Sequence, residues 1–211
     1  MLQTLDCSWT RVVDLAPLSA CTMLQSLNCS STNVEDLGPL SACTMLQELD
    51  CSVCYVQLGP LSACTRQLTL DCSNNIRVSE LSPLSACAML QTLDCSYTEV
   101  VDLGPLSAFT MLQTLNCSDC EQVTDLGPLS ACKRLLNLDC SYCQVAVLSP
   151  LAACTALVDL KCDFDRVLEA EIQHLQAACG SPVVTQDPDM RQCEYGEIVH
   201  PALHPRLPPA T

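Results

Sequence analysis

The chain has 211 residues, a net charge of −15, a composition that is 49% hydrophobic but only 3% aromatic, and 19 cysteines. A hydrophobic fraction near one half, with no apolar run approaching the roughly 18 residues of a membrane span, argues against disorder and against insertion, and the acidic excess argues against nucleic acid and anionic membranes as partners. The odd cysteine count, in a chain opening Met1-Leu2-Gln3-Thr4-Leu5-Asp6 with no basic or apolar leader, predicts reduced thiols and a cytoplasmic location rather than a disulfide framework, with an extracellular setting as the alternative should the native start lie upstream.

Seven consecutive segments repeat one text: residues 2–23, 24–45, 46–66, 67–89, 90–111, 112–134 and 135–156, with an eighth, degenerate copy from Leu157. Each reads Leu-x-x-Leu-x-Cys-Ser, a variable stretch, then Val-x-Asp-Leu-Gly-Pro-Leu-Ser-Ala-Cys-Thr-Met. In the first half apolar and polar residues alternate, as Leu27 and Cys29 do against Ser26, Asn28 and Ser30. That is the period of a strand. One short strand per segment, recurring in the same direction after about 22 residues, must stack in parallel with a return segment on the far side of the coil. The return is marked by Pro17, Pro39, Pro60, Pro83, Pro105, Pro128 and Pro150, whose fixed ring angle suits the start of a short helical turn. Just upstream, Asp14, Asp36, Asp102 and Asp125 are placed to accept backbone N–H bonds, which gives these acids a structural role.

Counting positions from the first residue of each segment, the interior should be built of columns. Leu5, Leu27, Leu49, Leu70, Leu93, Leu115, Leu138 and Leu160 form one at position four, and Cys7, Cys29, Cys51, Cys72, Cys95, Cys117, Cys140 and Cys162 the next at position six. A third, on the return side, holds Cys21, Cys43, Cys64, Cys87, Cys132 and Cys154, with Phe109 in the same column. Cysteine serves there as a small hydrophobe.

This text resembles the leucine-rich repeat family, most closely the 22-residue class seen in bacterial internalins and in a leucine-rich regulatory subunit of protein phosphatase. The resemblance covers roughly residues 2–168 and implies an α/β solenoid: a leucine-rich repeat horseshoe with a concave parallel sheet and short helical or 3-10 turns on the convex side. It implies protein binding, and no residue carries a phosphatase-regulating or adhesive role over to this chain. The chain departs from the family at position nine, where asparagine is usual and Thr10, Thr32, Cys54, Asn75, Thr98, Cys120 and Cys143 stand. Threonine can replace that asparagine as a partner of buried backbone groups, whereas cysteine is expected to do so poorly.

The predicted organisation is an array of about eight coils over 1–168, a capping helix over 169–180 with Leu168, Ile172, Leu175 and Cys179 on one face and Gly180 as its stop, and a proline-rich tail over 181–211, loosely packed or disordered. At the other end Met1 falls at the repeat position of Met23, Met45, Met89 and Met111. A coil without a cap exposes its apolar cross-section, so we expect upstream repeats or burial of this end against another chain.

Candidate chemistry is sparse. The only histidines are His174, His200 and His204, beyond the array, and no phosphate-binding loop occurs, so no catalytic residue, cofactor or enzymatic activity is expected. Cys117-x2-Cys120 and Cys140-x2-Cys143 have nearly the spacing of a four-cysteine zinc site, but the repeat period generates that spacing, as it does Cys51-x2-Cys54. Cys193, His200 and His204 form a weaker candidate, and no metal is expected. In-register side chains of a column point the same way, which disfavours disulfides along it.

Position five faces outward on the concave sheet with Asp6, Asn28, Asp50, Asp71, Asp94, Asn116, Asp139 and Lys161. Stacked carboxylates repel, so this row reads either as a solvated surface or as a trough for a basic partner. Trp9, Tyr97, Tyr142 and Phe164 share position eight, with Tyr55 two residues further along its own coil, and would line one rim as interface anchors. Asp6, Asp50, Asp71, Asp94, Asp139 and these five aromatics are therefore the candidate binding residues for a basic protein or peptide. The alternative is a structural array that associates end to end through its first coil.

Overall fold

The computed structural model describes residues 2–180 and 182–185. Nine strands form one parallel sheet in chain order: β1 (Thr4–Asp6), β2 (Ser26–Asn28), β3 (Glu48–Asp50), β4 (Thr69–Asp71), β5 (Thr92–Asp94), β6 (Thr114–Asn116), β7 (Asn137–Asp139), β8 (Asp159–Lys161) and β9 (Val183–Thr185). Each strand is the alternating triplet around a position-four leucine, and these leucines pair in register from Leu5↔Leu27 to Leu138↔Leu160. A 3-10 turn follows on the opposite wall in coils 1 to 7, from Ala16–Ala20 to Ser149–Ala153, with proline as its second residue throughout. The Asp before it acts as anticipated: Asp14, Asp36, Asp102 and Asp125 accept the amide two residues on, at 2.6–2.7 Å.

The cysteines do more than fill space. All 18 in the described residues are free thiols. At position six, Cys51, Cys72, Cys95, Cys117 and Cys140 donate S–H to the position-five carbonyl of the next coil at 3.3–3.5 Å, the same oxygen that accepts their backbone N–H. On the convex side Cys43, Cys64, Cys87, Cys132 and Cys154 donate to a carbonyl of the preceding coil's turn. Phe109 fills the same column without an S–H to give.

Position nine completes the ladder. Asn75 Nδ2 donates to the carbonyls of Cys51 (2.9 Å), Cys72 (3.0 Å) and Ser73 (3.2 Å), serving its own coil and the one before. Threonine takes the first half of that task, with Thr32 and Thr98 at 2.6 Å from the carbonyls of Cys29 and Cys95 in their own coils. Cysteine takes the second: Cys54, Cys120 and Cys143 reach back to Cys29, Cys95 and Cys117 at 3.1–3.2 Å. The expectation that cysteine serves poorly here is corrected: each of these thiols reaches a carbonyl of the preceding coil, while Thr32 and Thr98 serve a carbonyl of their own coil. Cys117, Cys120, Cys140 and Cys143 thus each point at a separate carbonyl.

One position breaks the leucine columns. Gln67 stands where the other coils begin with leucine, and Leu68 where Gln25, Gln47 and Gln91 stand, as if the two had been exchanged. Gln67 is 1% exposed; its Nε2 donates to Thr69 O at 2.7 Å, and its Oε1 has no partner among the described residues.

At the C-terminal end α1 (Glu169–Cys179) packs on the last 3-10 turn, burying Ile172 and Leu175, and stops at Gly180 in the left-handed region (φ 72°). Leu168, expected on the buried face, is 72% exposed, because it precedes the helix in extended conformation. Cys179 Sγ donates to Leu151 O and Cys154 O, extending the convex thiol column by one step. Coil 7 lacks the capping Asp, and Glu171 of α1 supplies it by accepting the amides of Leu148 (2.9 Å) and Ser149 (3.0 Å). Asp163, 5% exposed, replaces a backbone carbonyl by accepting Tyr142 N with both oxygens. Residues 183–185, placed in the tail from sequence, form β9 and cover the outer edge of β8. Cys193, His200 and His204 lie outside the described residues. In the first coil, by contrast, Leu5, Cys7, Val12 and Cys21 are only partly buried.

Candidate functional site: an acidic sheet face and an aromatic rim

The position-five acids have one foot in the scaffold. Oδ1 of Asp6, Asp50, Asp71 and Asp94 accepts both the backbone N–H (2.9–3.0 Å) and the hydroxyl (2.6–2.7 Å) of the serine two residues on. Asn28 does the same for Ser30, and Asp139 and Asn116 take the amides of Ser141 and Ser118. The Asp-Cys-Ser or Asn-Cys-Ser text is thus an Asx turn closing β1 to β7, and only the outer oxygens of the acids face the concave surface.

Those outer oxygens divide the face in two. Toward the C-terminus they are engaged: Asp94 Oδ2 accepts Asn116 Nδ2 at 2.9 Å, and Asp139 Oδ2 pairs with Lys161 Nζ at 3.1 Å. These residues border a depression of about 280 Å³ that also touches Asp159 and Asn137. On coils 3 and 4, Asp50 and Asp71 are register partners in β3 and β4, and no described side chain meets their outer oxygens. Burial pushes the Asp71 carboxyl up from its ordinary pKa; the Ser73 hydrogen bonds oppose this, and the charges of Asp94 and Asp50 add to it. Asp6, fully exposed, is shifted the other way by its bonds to Ser8.

Position eight has a property the sequence conceals. Trp9, Ser31, Val53, Asn74, Tyr97, Asp119 and Tyr142, one from each of the first seven coils, all have φ between 53° and 60°. The left-handed region costs a non-glycine residue roughly 1–2 kcal/mol, and for a β-branched residue such as Val53 it is an outlier. Three of the five rim aromatics, Trp9, Tyr97 and Tyr142, therefore stand on a strained turn, and Tyr55 and Phe164 do not. Trp9 is 84% exposed, Tyr97 51% and Phe164 37%. Tyr142 is half-buried, and so is Tyr55, which is occupied: the Arg77 guanidinium lies 6.0 Å from its ring centroid while Nη1 donates to Glu35 Oε2 at 3.0 Å and Tyr55 O at 3.1 Å. The five aromatics and five acids thus lie on two adjoining surfaces, with Tyr55 engaged within the chain. Sequence reasoning missed Arg77 and Glu35, because their contact spans three coils. Further along the rim, Ile76, Tyr97, Glu99, Asp119, Glu121 and Gln122 border a depression of about 240 Å³.

Three solved structures superpose on this solenoid. Internalin C2 from Listeria monocytogenes aligns over 87% of this chain and 80% of its own, with a TM-score of 0.79 and 24% identity. A leucine-rich repeat protein of Leptospira interrogans aligns over 87% of this chain and 54% of its own, with a TM-score of 0.68 and 13% identity. The functional domain of InlJ from Listeria monocytogenes, which includes a cysteine ladder, aligns over 88% and 48%, with a TM-score of 0.52 and 20% identity. The chain therefore spans most of the first protein and about half of the other two. No protein-family model and no curated protein matches the sequence. At these identities the likeness is one of fold, and the fold is the leucine-rich repeat solenoid. Among the described residues no helix is long and apolar enough to cross a membrane.

Proposed function

We propose that this leucine-rich repeat solenoid is a non-enzymatic interaction scaffold that binds a basic protein or peptide on its concave face, with the rim aromatics as anchors. The observation that supports this most is the pair Asp50 and Asp71, adjacent in register, whose outer oxygens have no cation or amide donor beside them among the described residues, while the row from Asp94 to Lys161 is internally satisfied. A guanidinium or ammonium from a partner would relieve that repulsion. Asp6, Asp94 and Asp139 extend the acidic row, and Trp9, Tyr97, Tyr142 and Phe164 offer apolar area beside it. The ladders of buried thiols support a reducing, cytoplasmic setting.

Charge is separable from fold at these positions, because Asn28 shows that an amide oxygen makes the same turn. The test compares proteins retained from native lysate by the unaltered chain and by Asp50→Asn/Asp71→Asn across a salt series. The expected result is a basic protein held by the former, lost from the latter and released by salt. Equal recovery by both chains, insensitive to salt, would overturn the reading.

A second reading, association through the first coil, is favoured by Leu2, Trp9 and Val13 at 41%, 84% and 63% exposure beside the half-buried Leu5 and Cys7. Sedimentation velocity of the chain and its Val13→Lys variant tests it: a concentration-dependent species abolished by the variant supports it, and a monomer at all concentrations opposes it.

A further inference from the structure

We propose that three thiol pairs, Cys29 with Cys54, Cys95 with Cys120 and Cys117 with Cys143, form a redox clamp: a peroxide converts each pair to a disulfide that ties one coil to the next. The device does not depend on what the concave face binds. In each pair a position-six cysteine meets the position-nine cysteine of the following coil. Cysteines of one column point the same way, which disfavours bridging, but these two columns converge. Cys54, Cys120 and Cys143 place Sγ 3.2, 3.2 and 3.1 Å from the carbonyl oxygens of Cys29, Cys95 and Cys117. The two thiols of each pair are also hydrogen-bonded to one another. Position six is cysteine in every coil, whereas position nine is cysteine only in coils 3, 6 and 7, so Cys7, Cys51 and Cys72 meet Thr32, Asn75 and Thr98 there instead.

Oxidation leaves the backbone paired. Closing a bridge removes the S–H that each position-nine cysteine gives to a carbonyl. Cys29 O and Cys95 O keep the hydroxyls of Thr32 and Thr98 at 2.6 Å, and Cys117 O keeps the Cys120 amide at 3.3 Å. Asn116 O and Asp139 O lose the S–H of Cys95 and Cys117 but keep the backbone amide of the same cysteine at 2.9 Å. No carbonyl is left to bear the cost of an orphaned buried group.

The chemistry balances with hydrogen peroxide as the oxidant. One sulfur attacks a peroxide oxygen, so that an S–O bond forms, the O–O bond breaks and the displaced hydroxide takes up a proton and leaves as water. The partner sulfur then displaces the remaining hydroxyl: the S–S bond forms, the S–O bond breaks and a second water leaves. Two thiols give up two protons and two electrons, and the peroxide takes them. Cys54 and Cys120 are placed to attack first. The hydrogen bond from the partner thiol, with a further one from Thr32 or Thr98, lowers Cys54 to about 6 and Cys120 below the usual thiol range, against the effect of burial. All six cysteines are buried, so the oxidant enters when a coil interface opens.

The test treats the full chain with hydrogen peroxide, alkylates the remaining thiols in urea and maps the peptides by mass spectrometry, beside Cys54→Thr, Cys120→Thr and Cys143→Thr. Threonine already serves position nine in coils 1, 2 and 5, so these variants keep the fold. Three bridged peptides are expected, each about 2 Da lighter than its two thiols and restored by dithiothreitol. Their yield should exceed that of any bridge along a column, such as Cys51 to Cys72, by at least about tenfold. Each variant should delete its own bridge and leave the other two, and the lack of any one bridge in the unaltered chain removes that pair from the clamp. Bridges along the columns in equal yield, or oxygen added at Cys7, Cys21 and Cys179 while all six paired cysteines remain open to alkylation, would overturn the proposal.

Discussion

At the C-terminal end Leu175 of α1 is fully buried, Cys179 extends the convex thiol column, Glu171 stands in for the capping Asp that coil 7 lacks and Asp163 for a backbone carbonyl, whereas in coil 1 Leu5, Cys7, Val12 and Cys21 stay partly exposed and Trp9 stands in solvent. Both are cross-sections of the same repeat. What distinguishes them is polar satisfaction as much as apolar cover: Glu171 and Asp163 meet amides that would otherwise be orphaned, and an orphaned buried amide costs about 1–3 kcal/mol. In a repeat array, stability is a sum of coil and interface contributions, so in this chain coil 1 and the coil packed against α1 should open at different free energies.

The largest expected effect reaches both ends and the middle. Burial pushes the thiols of Cys64, Cys132 and Cys154 up to about 11 and Cys162 to about 12, and raises Cys51, Cys72 and Cys140 well above the usual thiol range. A thiol whose folded value exceeds its unfolded one contributes stability in full below the unfolded value and loses it as pH rises toward the folded value. Urea unfolding followed by circular dichroism should therefore show a steep loss of stability between about pH 8.5 and 11, near 1.4 kcal/mol per pH unit for each fully buried thiol. A flat profile would contradict the S–H ladders. Alkylation at pH 8 should label Cys7, Cys21 and Cys179 ahead of the interior thiols.

Next in size is the contrast between the ends themselves. Leu175→Ala, at a fully buried site, is expected to cost about 2–5 kcal/mol, and Leu5→Ala distinctly less, since Leu5 is partly solvated already. Equal losses would mean that coil 1 is covered in solution. Glu171→Ala should cost about 1–3 kcal/mol and speed hydrogen exchange at the amides of Leu148 and Ser149 while leaving those of coil 1 unchanged. Smallest, and of opposite sign, is the repair of the middle. Gln67→Leu with Leu68→Gln restores the leucine column and removes the unpaired Oε1, and should raise the unfolding free energy by about 1–2 kcal/mol. No gain would mean that the Gln67 carbonyl has a partner, such as a bound water.

Periodicity explains what the sequence makes legible. A column such as Leu5 to Leu160 is visible because the same residue recurs at the same place, and so are the caps Asp14, Asp36, Asp102 and Asp125. The exchange of Gln67 and Leu68 is visible on the same basis once each coil is aligned residue by residue. The left-handed turn at position eight leaves no such trace, since its occupants are Trp, Ser, Val, Asn, Tyr, Asp and Tyr and none is glycine. The position-five acids look like a binding row until the serine two residues on is recognised as their partner, which halves the oxygen available to a ligand. Contacts that skip coils, such as Arg77 with Glu35, depend on side-chain reach, which alignment does not report. β9 is a three-residue strand in a proline-containing stretch, and only the open edge of β8 explains it.

The row of left-handed turns also acts as a ruler. Neighbouring coils are spaced like strands, about 4.8 Å apart, so Tyr97 and Tyr142, two coils apart, recur at about 10 Å along the axis. An extended β-strand presents same-side residues every 7 Å or so and falls out of step with that spacing. A polyproline II segment, with three residues per turn and about 3.1 Å per residue, presents one side every 9 Å or so and stays nearly in step. A ligand laid along this rim would thus be read in triplets, one side chain for every second coil.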